Sequence, residues 1–123
     1  MLLQDFYIVN TLETIAEGKY QAVVTLNKEH DIFKGHFPGN PVTPGVCMMQ
    51  IIKELTQEIT GSTLFMSNTS NVKFMALINP EKNPVLKLDL DISGDLTTQI
   101  KVKNTTSFDD TIALKLSNTY IKA

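Results

Sequence analysis

Residues 44–61 of the chain read PGVCMMQIIKELTQEITG, and their periodicity predicts one long helix. Thr43 is the predicted N-cap, with Pro44 at the first helical position, and Gly61 is predicted to end the helix. A helix that is apolar around most of its circumference is predicted to lie buried at the centre of the domain. Its apolar residues recur at intervals of three and four: Val46, Met48, Met49, Ile51, Ile52, Leu55 and Ile59.

Segments with the period-two alternation of β-strands flank this helix on both sides. Two strands are predicted before it, at 6–13 and 19–26, with a hairpin turn at Glu17-Gly18. The sequence therefore predicts an α+β fold, a single domain over residues 1–123 with a meander of four or five strands after the helix. The segments predicted after the helix are 63–68, 72–78, 85–92, 96–105 and 110–121.

Composition excludes several classes of protein. The 123 residues are 42% hydrophobic and 20% charged, with a net charge of −2, which argues against a disordered chain and against a general nucleic-acid binder. The eleven basic residues are all lysine, so no Arg fork is present to clamp phosphate or carboxylate. The one cysteine, Cys47, excludes an internal disulfide and is expected to be a small buried side chain. Without a long apolar run or a basic leader, a cytoplasmic protein is expected.

A turn-rich segment precedes the helix. Residues 30–45 hold three of the five prolines and three of the six glycines, so an irregular loop is predicted. This loop carries His36 and leads into a helix whose first turn contains Gly45. Unpaired N–H groups at a helix start can bind an oxyanion or a polarised carbonyl, and a nearby histidine can act as a general base or acid. The alternative from the residues alone is that His36 only bonds a backbone carbonyl of the loop.

The stretch Gly35-His36-Phe37-Pro38-x-x-Pro41-Val42-x-Pro44-Gly45-Val46 resembles the signature of the β-hydroxyacyl-(acyl carrier protein) dehydratases of fatty-acid synthesis. These enzymes form the FabZ-like branch of the hot-dog fold. The resemblance extends to Phe33 and to the segment from Val72 to Pro80. It implies an antiparallel sheet wrapped around one long central helix. It also implies dehydration of 3-hydroxyacyl thioesters to trans-2-enoyl thioesters on acyl carrier protein. Neither a metal nor a cofactor is expected.

The resemblance implies a role for individual residues. His36 would remove the α-proton, and the Gly45 N–H would hydrogen-bond the thioester carbonyl. In this family a carboxylate fourteen residues after the histidine assists departure of the hydroxyl and comes from the other subunit of a dimer. An apolar acyl tunnel would be lined by Phe33, Phe37, Pro38, Pro44, Val46 and Phe74.

The sequence departs from the family pattern at that carboxylate, because Gln50 stands fourteen residues after His36. An amide can hydrogen-bond a hydroxyl but cannot deliver a proton. Glu54 lies one helical turn further on the same face and is a candidate replacement for the acid. The alternative is that Glu54 pairs with a lysine or faces solvent. Lys53 and Glu58 are expected on a solvated stripe.

An acyl carrier protein is acidic, so a local basic surface is expected to dock it. Lys28, Lys34 and Lys73 are the candidates, with ordinary surface lysines as the alternative. His30 is expected to be a surface or loop-packing residue rather than a metal ligand.

Three functions stay open on the sequence. The first is a 3-hydroxyacyl thioester dehydratase, and the second is a hot-dog thioesterase. The third is a non-catalytic or weakly active acyl-binding subunit of a heterodimer with a homologue, which Gln50 favours. The dehydratase motif favours the first. A homodimer or higher oligomer, joined edge to edge through the sheet, is expected.

Overall fold

A computed structural model of the chain describes residues 5–34 and 41–123. Within these residues the chain forms six strands and two helices. In chain order they are β1 (Tyr7–Ala16), β2 (Lys19–Leu26), α1 (Asp31–Lys34), α2 (Gly45–Thr60), β3 (Leu64–Phe74), β4 (Val85–Gly94), β5 (Ile100–Phe108) and β6 (Thr111–Lys122). None of the helices in the described part is long and apolar enough to cross a membrane.

The strands form one antiparallel sheet in the order β1-β2-β4-β5-β6-β3. The predicted α+β fold, an antiparallel sheet with one long helix, is confirmed. The predicted meander after the helix is wrong in one respect: β3 pairs with β6 at the far edge rather than with β4. The connection from β3 to β4 therefore crosses the sheet, and β3 forms an outer edge.

The alternation of β4 explains how the sheet covers the helix. Leu86, Leu88 and Leu90 are buried, whereas the residues between them point to the outer face. Across the ladder, Ala22 of β2 lies opposite Leu88 and is also fully buried. These inward side chains share one core with the apolar face of α2. The buried residues of α2 are Cys47, Met48, Ile51, Ile52, Leu55 and Thr56.

The ends of α2 agree only in part with the prediction. Gly61 ends the helix in the left-handed region at φ 70°, and its N–H donates to the Gln57 carbonyl at 2.8 Å. The predicted N-cap is wrong, because Pro44 is the N-cap and no side chain caps the helix. Thr43 is instead tied to the chain after β3, since its N–H donates to the Ile78 carbonyl at 2.8 Å.

Other predicted boundaries also change. The segments predicted at 63–68 and 72–78 are replaced by the single strand β3, which pairs with β6 along its length with register shifts after Met66 and Ser70. This strand ends at Phe74, so residues 75–78 are not part of it. The segment predicted at 96–105 begins later, because the Asp95 carboxylate accepts hydrogen bonds from the turn that follows it. The short helix α1 was not predicted. It lies before Pro38, the first proline of the loop, so no proline prevents a helical turn there.

Candidate active site

An apolar pocket of about 470 Å³ opens beside the first residue of α2. The segment from Val42 to Gly45 lines one side of it, and the chain from Phe74 to Ile78 lines the other. Gly45 is the first residue of this helix, and the backbone bonding at this end begins with the Cys47 N–H, which donates to the Pro44 carbonyl at 3.0 Å, so the Gly45 N–H has no partner within the helix. The pocket therefore joins an apolar cleft to backbone donors at the positive end of a helix dipole.

Gly45 and Phe74, both singled out from the sequence, are in direct contact at this pocket. A Cβ atom on residue 45 would lie 2.7 Å from Cζ of the Phe74 ring, closer than van der Waals contact allows. The glycine therefore lets the aromatic ring approach the helix backbone. Pro44, the third expected residue of this group, lines the same pocket.

Thr43 adds a buried polar group to the start of α2. Thr43 is 6% exposed, and its hydroxyl oxygen Oγ1 has no hydrogen-bond partner among residues 5–34 and 41–123. A buried hydroxyl without a partner is uncommon in native proteins. Thr43 lines the pocket of Gly45, so the sequence placed this residue correctly beside the helix start but gave it the wrong role.

Gln50 faces a different pocket. Five residues after Gly45, it lies about 7.5 Å further along the helix axis and is rotated by about 140°. Its pocket of about 400 Å³ is lined by Val46, Met49, Gln50, Lys53, Phe65 and Met66. Val46 thus lies on the Gln50 side of the helix, and Lys53, expected on a solvated stripe, is half-buried in this pocket. The single chain therefore presents Gly45 and Gln50 to two different pockets.

Glu54 is held by two side chains. Its Oε2 accepts a hydrogen bond from Nε2 of Gln50 at 2.9 Å, which confirms that the two residues share a helix face. Its Oε1 accepts a hydrogen bond from the hydroxyl of Tyr7 at 2.8 Å. The alternative, that Glu54 pairs with a lysine or faces solvent, is wrong. Sequence reasoning missed Tyr7, because 47 residues separate it from Glu54 and no local pattern connects them.

Burial perturbs two titratable groups near the helix. Desolvation raises the pKa of Tyr7 well above its ordinary value, and the hydrogen bond and negative charge of Glu54 raise it further. Tyr7 therefore remains a protonated donor at neutral pH. Cys47 is 2% exposed, as expected, and burial raises its pKa too. A buried thiol with a raised pKa is a poor nucleophile.

Phe33 and His30 pack against the core. Phe33 is 4% exposed and stacks on Phe6, with ring centroids 5.2 Å apart. Among the described residues it packs in the core and lines neither of these two pockets, and its contact with substrate stays a prediction. His30 meets Phe6 edge to face, and its Nδ1 accepts a hydrogen bond from the Ile32 N–H at 3.1 Å. This agrees with the expected loop packing. The remaining motif residues, His36, Phe37 and Pro38, lie outside the described residues.

The three candidate docking lysines differ in their surroundings. Lys28 is exposed, and Lys34 forms an exposed ion pair with Asp31 at 3.2 Å. Lys73 lies directly across from Lys115 of β6, and both line a shallow groove together with Lys103 of β5. Only strand register brings these three lysines together, so the sequence identified one of them.

The six-stranded antiparallel sheet packed against the one long helix α2 defines a hot-dog fold. Residues 12–112 match the model of the ApeI-like family, described as ApeI dehydratase. The chain belongs to this family.

Curated relatives include 3-hydroxyacyl-[acyl-carrier-protein] dehydratases named FabZ. The FabZ of Lactobacillus helveticus is 31% identical over 105 residues, which cover 80% of this chain and 68% of that enzyme. The FabZ of Caulobacter sp. is 29% identical over 99 residues, which cover 73% of this chain and 58% of that enzyme. The chain therefore matches only part of the length of each of these relatives.

Solved structures share the fold. The dehydratase heterocomplex ApeI:P from Xenorhabdus doucetiae contains a chain that superposes with a TM-score of 0.73 at 22% identity, covering 92% of this chain and 96% of that one. A sigma28-regulated virulence protein of Campylobacter jejuni superposes with a TM-score of 0.69 at 10% identity, covering 100% and 88%. At these identities the likeness concerns the fold alone.

Proposed function

We propose that the protein dehydrates 3-hydroxyacyl thioesters carried on acyl carrier protein to trans-2-enoyl thioesters. The pocket at the start of α2 is the observation that carries this proposal. It offers an apolar cleft for an acyl chain and, at its Gly45 end, backbone donors for a thioester carbonyl. Membership of a dehydratase family supports the same reaction.

The proposed reaction needs one proton acceptor and one proton donor. His36 takes the proton from C2 of the substrate, and the electron pair moves toward the thioester carbonyl. The Gly45 N–H stabilises the charge that develops on that oxygen. The C3–O bond then breaks, and the leaving hydroxide takes a proton to become water. Gln50 cannot supply that proton, so the protonated His36, directly or through water, is the proposed donor.

The site is proposed to be complete only in a dimer. Gly45 and Gln50 face different pockets of one protomer, so a second subunit must bring the two groups to one substrate. The outer edge β3 offers the surface for that contact: ten of its eleven residues are exposed. Exposed apolar side chains lie along it, Phe65, Met66, Val72 and Phe74. Long exposed edges of this kind pair readily with another strand.

A non-catalytic or weakly active subunit of a heterodimer is the second candidate function. The observation that favours it is the Gln50 amide, which is bound to Glu54 and has no proton to release to a leaving group. The likeness in fold to a chain of the dehydratase heterocomplex supports this alternative. In such a pair the homologous partner would supply the acid.

The carrier is proposed to dock on the lysine groove of Lys73, Lys103 and Lys115. Like charges on neighbouring strands repel one another, and an acidic partner would relieve that repulsion. The proposed dock thus keeps Lys73 of the three sequence candidates and adds two lysines from β5 and β6.

Two measurements separate the candidates. Native mass spectrometry gives the oligomeric state of the protein alone and after co-expression with a homologue. Mass spectrometry of a carrier-bound 3-hydroxyacyl substrate then detects the loss of one water. A homodimer that forms the enoyl product supports the dehydratase. An inactive chain that becomes part of an active heterodimer supports the second candidate, and a free fatty acid as product would contradict both in favour of a thioesterase.

A further inference from the structure

The charge of Glu54 sets the direction in which the Gln50 amide points. Gln50 Nε2 donates to Glu54 Oε2 at 2.9 Å. A carboxylate only accepts hydrogen bonds, so the reversed amide would place a carbonyl oxygen against another oxygen. The amide nitrogen of Gln50 therefore donates to Glu54. The amide carbonyl oxygen makes no hydrogen bond to Glu54 and can accept one from another group.

Tyr7 fixes Glu54 from the opposite side. Its hydroxyl donates to Oε1 at 2.8 Å, so each oxygen of the carboxylate has its own donor. One donor comes from β1 and the other from α2, which ties the carboxylate to two elements of the fold. The raised pKa of Tyr7 keeps this hydroxyl protonated and donating.

The pocket of Gln50 offers few polar groups. Among the described residues that line it, Lys53 carries only donors, and Gln50 is the only side chain with an oxygen acceptor. The others are Val46, Met49, Phe65 and Met66. A ligand hydroxyl that enters this apolar pocket finds its oxygen acceptor at residue 50.

We propose that Tyr7 and Glu54 are positioning residues that fix the Gln50 amide so that its carbonyl oxygen accepts a hydrogen bond from the 3-hydroxyl group of the ligand. The class of ligand rests on the proposed function. Residue 50 then selects 3-hydroxylated acyl chains over those without a hydroxyl group and does not protonate the leaving group. Glu54 acts through Gln50 and is not itself the missing acid.

The hydrogen bond that fixes the Gln50 amide is measured without any ligand, from the side-chain amide signals in a ¹H–¹⁵N spectrum of the ¹⁵N-labelled protein. One Nε2 proton of Gln50 is expected downfield of the corresponding signal of exposed Gln99, because it bonds a carboxylate. Tyr7→Phe and Glu54→Gln are expected to move the Gln50 signals toward those of Gln99. Signals of Gln50 that match Gln99 in the unaltered protein, or that neither variant moves, would overturn the positioning.

The selection of a hydroxyl is measured by calorimetry with two stable ligands, the pantetheine amides of 3-hydroxyoctanoic acid and octanoic acid. The hydroxylated ligand is expected to bind about three- to tenfold more tightly, the range for one net hydrogen bond. Gln50→Met is expected to reduce this ratio to about one. Tyr7→Phe and Glu54→Gln are expected to reduce it at least twofold while binding of the octanoyl ligand stays the same. Tyr20→Phe and Glu58→Gln, matched changes at a half-buried tyrosine and an exposed glutamate of α2, should leave the ratio intact.

Each outcome separates this inference from the proposed function. A variant that weakens both ligands equally would show a merely structural role for Tyr7 and Glu54. Selective binding without loss of water from a 3-hydroxyacyl substrate would support the inference and contradict the dehydratase. If neither ligand bound, both the assigned class of ligand and the proposed dehydratase function would be contradicted. The amide signals would still test whether Tyr7 and Glu54 fix the Gln50 amide.

Discussion

The ring of Phe74 lies against the backbone of Gly45, so close that a methyl group on residue 45 would come within 2.7 Å of Cζ. This contact joins the end of β3 to the start of α2 and forms the wall of the pocket that we assign to the thioester. In the single chain Phe74 is 56% exposed, and its ring has room there to move away from a larger residue. The glycine is therefore required for the shape of the pocket more than for folding.

Gly45→Ala is expected to leave the protein folded and to reduce kcat/KM by about ten- to a hundredfold, because the displaced ring alters the position of the substrate. Thermal unfolding and steady-state kinetics measure the two effects. The double variant Gly45→Ala/Phe74→Leu is expected to recover part of the loss, since the smaller side chain restores space. Phe74→Leu alone is the control. Unchanged kinetics in the single Gly45→Ala variant would show that the contact between Gly45 and Phe74 does not contribute to substrate positioning.

His36→Ala is expected to abolish the loss of water from 3-hydroxyacyl thioesters while the far-ultraviolet circular dichroism spectrum stays unchanged. The proposed reaction has no other base to take the C2 proton. His30→Asn is the matched control, because it replaces the other histidine and retains an acceptor for the Ile32 N–H. Full turnover in His36→Ala would contradict the assigned role of His36.

Gln50→Glu is expected to raise the dehydration rate by an order of magnitude or more, within the range of about 10²–10⁴ that a general acid contributes. The new carboxyl would stand beside the Glu54 carboxylate, and two carboxyls at hydrogen-bonding distance share one proton. That raises the pKa of the pair and keeps one of them protonated near neutral pH.

The matched change on the same helix is Gln57→Glu, which adds a carboxyl away from the Gln50 pocket and should give no such gain. Glu54→Gln should lower the rate only modestly if Glu54 positions Gln50. A large loss in Glu54→Gln, together with no gain in Gln50→Glu, would identify Glu54 as the acid and contradict the positioning role.

Lys73→Glu is expected to raise KM for a carrier-bound substrate several-fold, and more strongly at low salt, while KM for a pantetheine substrate is unchanged. Lys115→Glu should act in the same direction, because the two lysines face each other across β3 and β6. Lys34→Glu should have a smaller effect, since Lys34 already pairs with Asp31. Lys122→Glu, about 23 Å away along the same strand pair, is the control. Equal effects on both substrates would exclude this dock.

Tyr7→Phe is expected to change how stability depends on alkaline pH. Tyr7 has a pKa of 10.0 as a free side chain and a higher one in the folded protein, so the unfolded chain loses this proton first. Its contribution to the free energy of unfolding is therefore complete below pH 10 and is lost as pH rises above that value. Urea unfolding should show the variant about 1–2 kcal/mol less stable at pH 8, with a smaller difference at pH 10.5. A constant difference would contradict the burial of Tyr7 beside Glu54.

The sequence by itself determined the parts of this protein that depend on neighbouring residues. The spacing of apolar residues predicted α2 and its end at Gly61, and the alternation from Val85 to Ile92 predicted β4 and its buried face. The motif from Gly35 to Val46 identified the dehydratase family. Periodicity and motifs are local, because side chains three, four or two residues apart share a face of a helix or a strand.

Only the tertiary structure decided which distant residues meet. It placed β3 beside β6, Tyr7 on Glu54, and Lys73 opposite Lys115, and it tied Thr43 to Ile78 where the sequence predicted a helix cap. No local pattern encodes these contacts, because each depends on how the whole sheet folds around the helix. The direction of the Gln50 amide also depends on tertiary structure. The Glu54 carboxylate that orients it accepts hydrogen bonds from Tyr7 of β1 and Gln50 of α2, and it can do so only once these two elements have packed together.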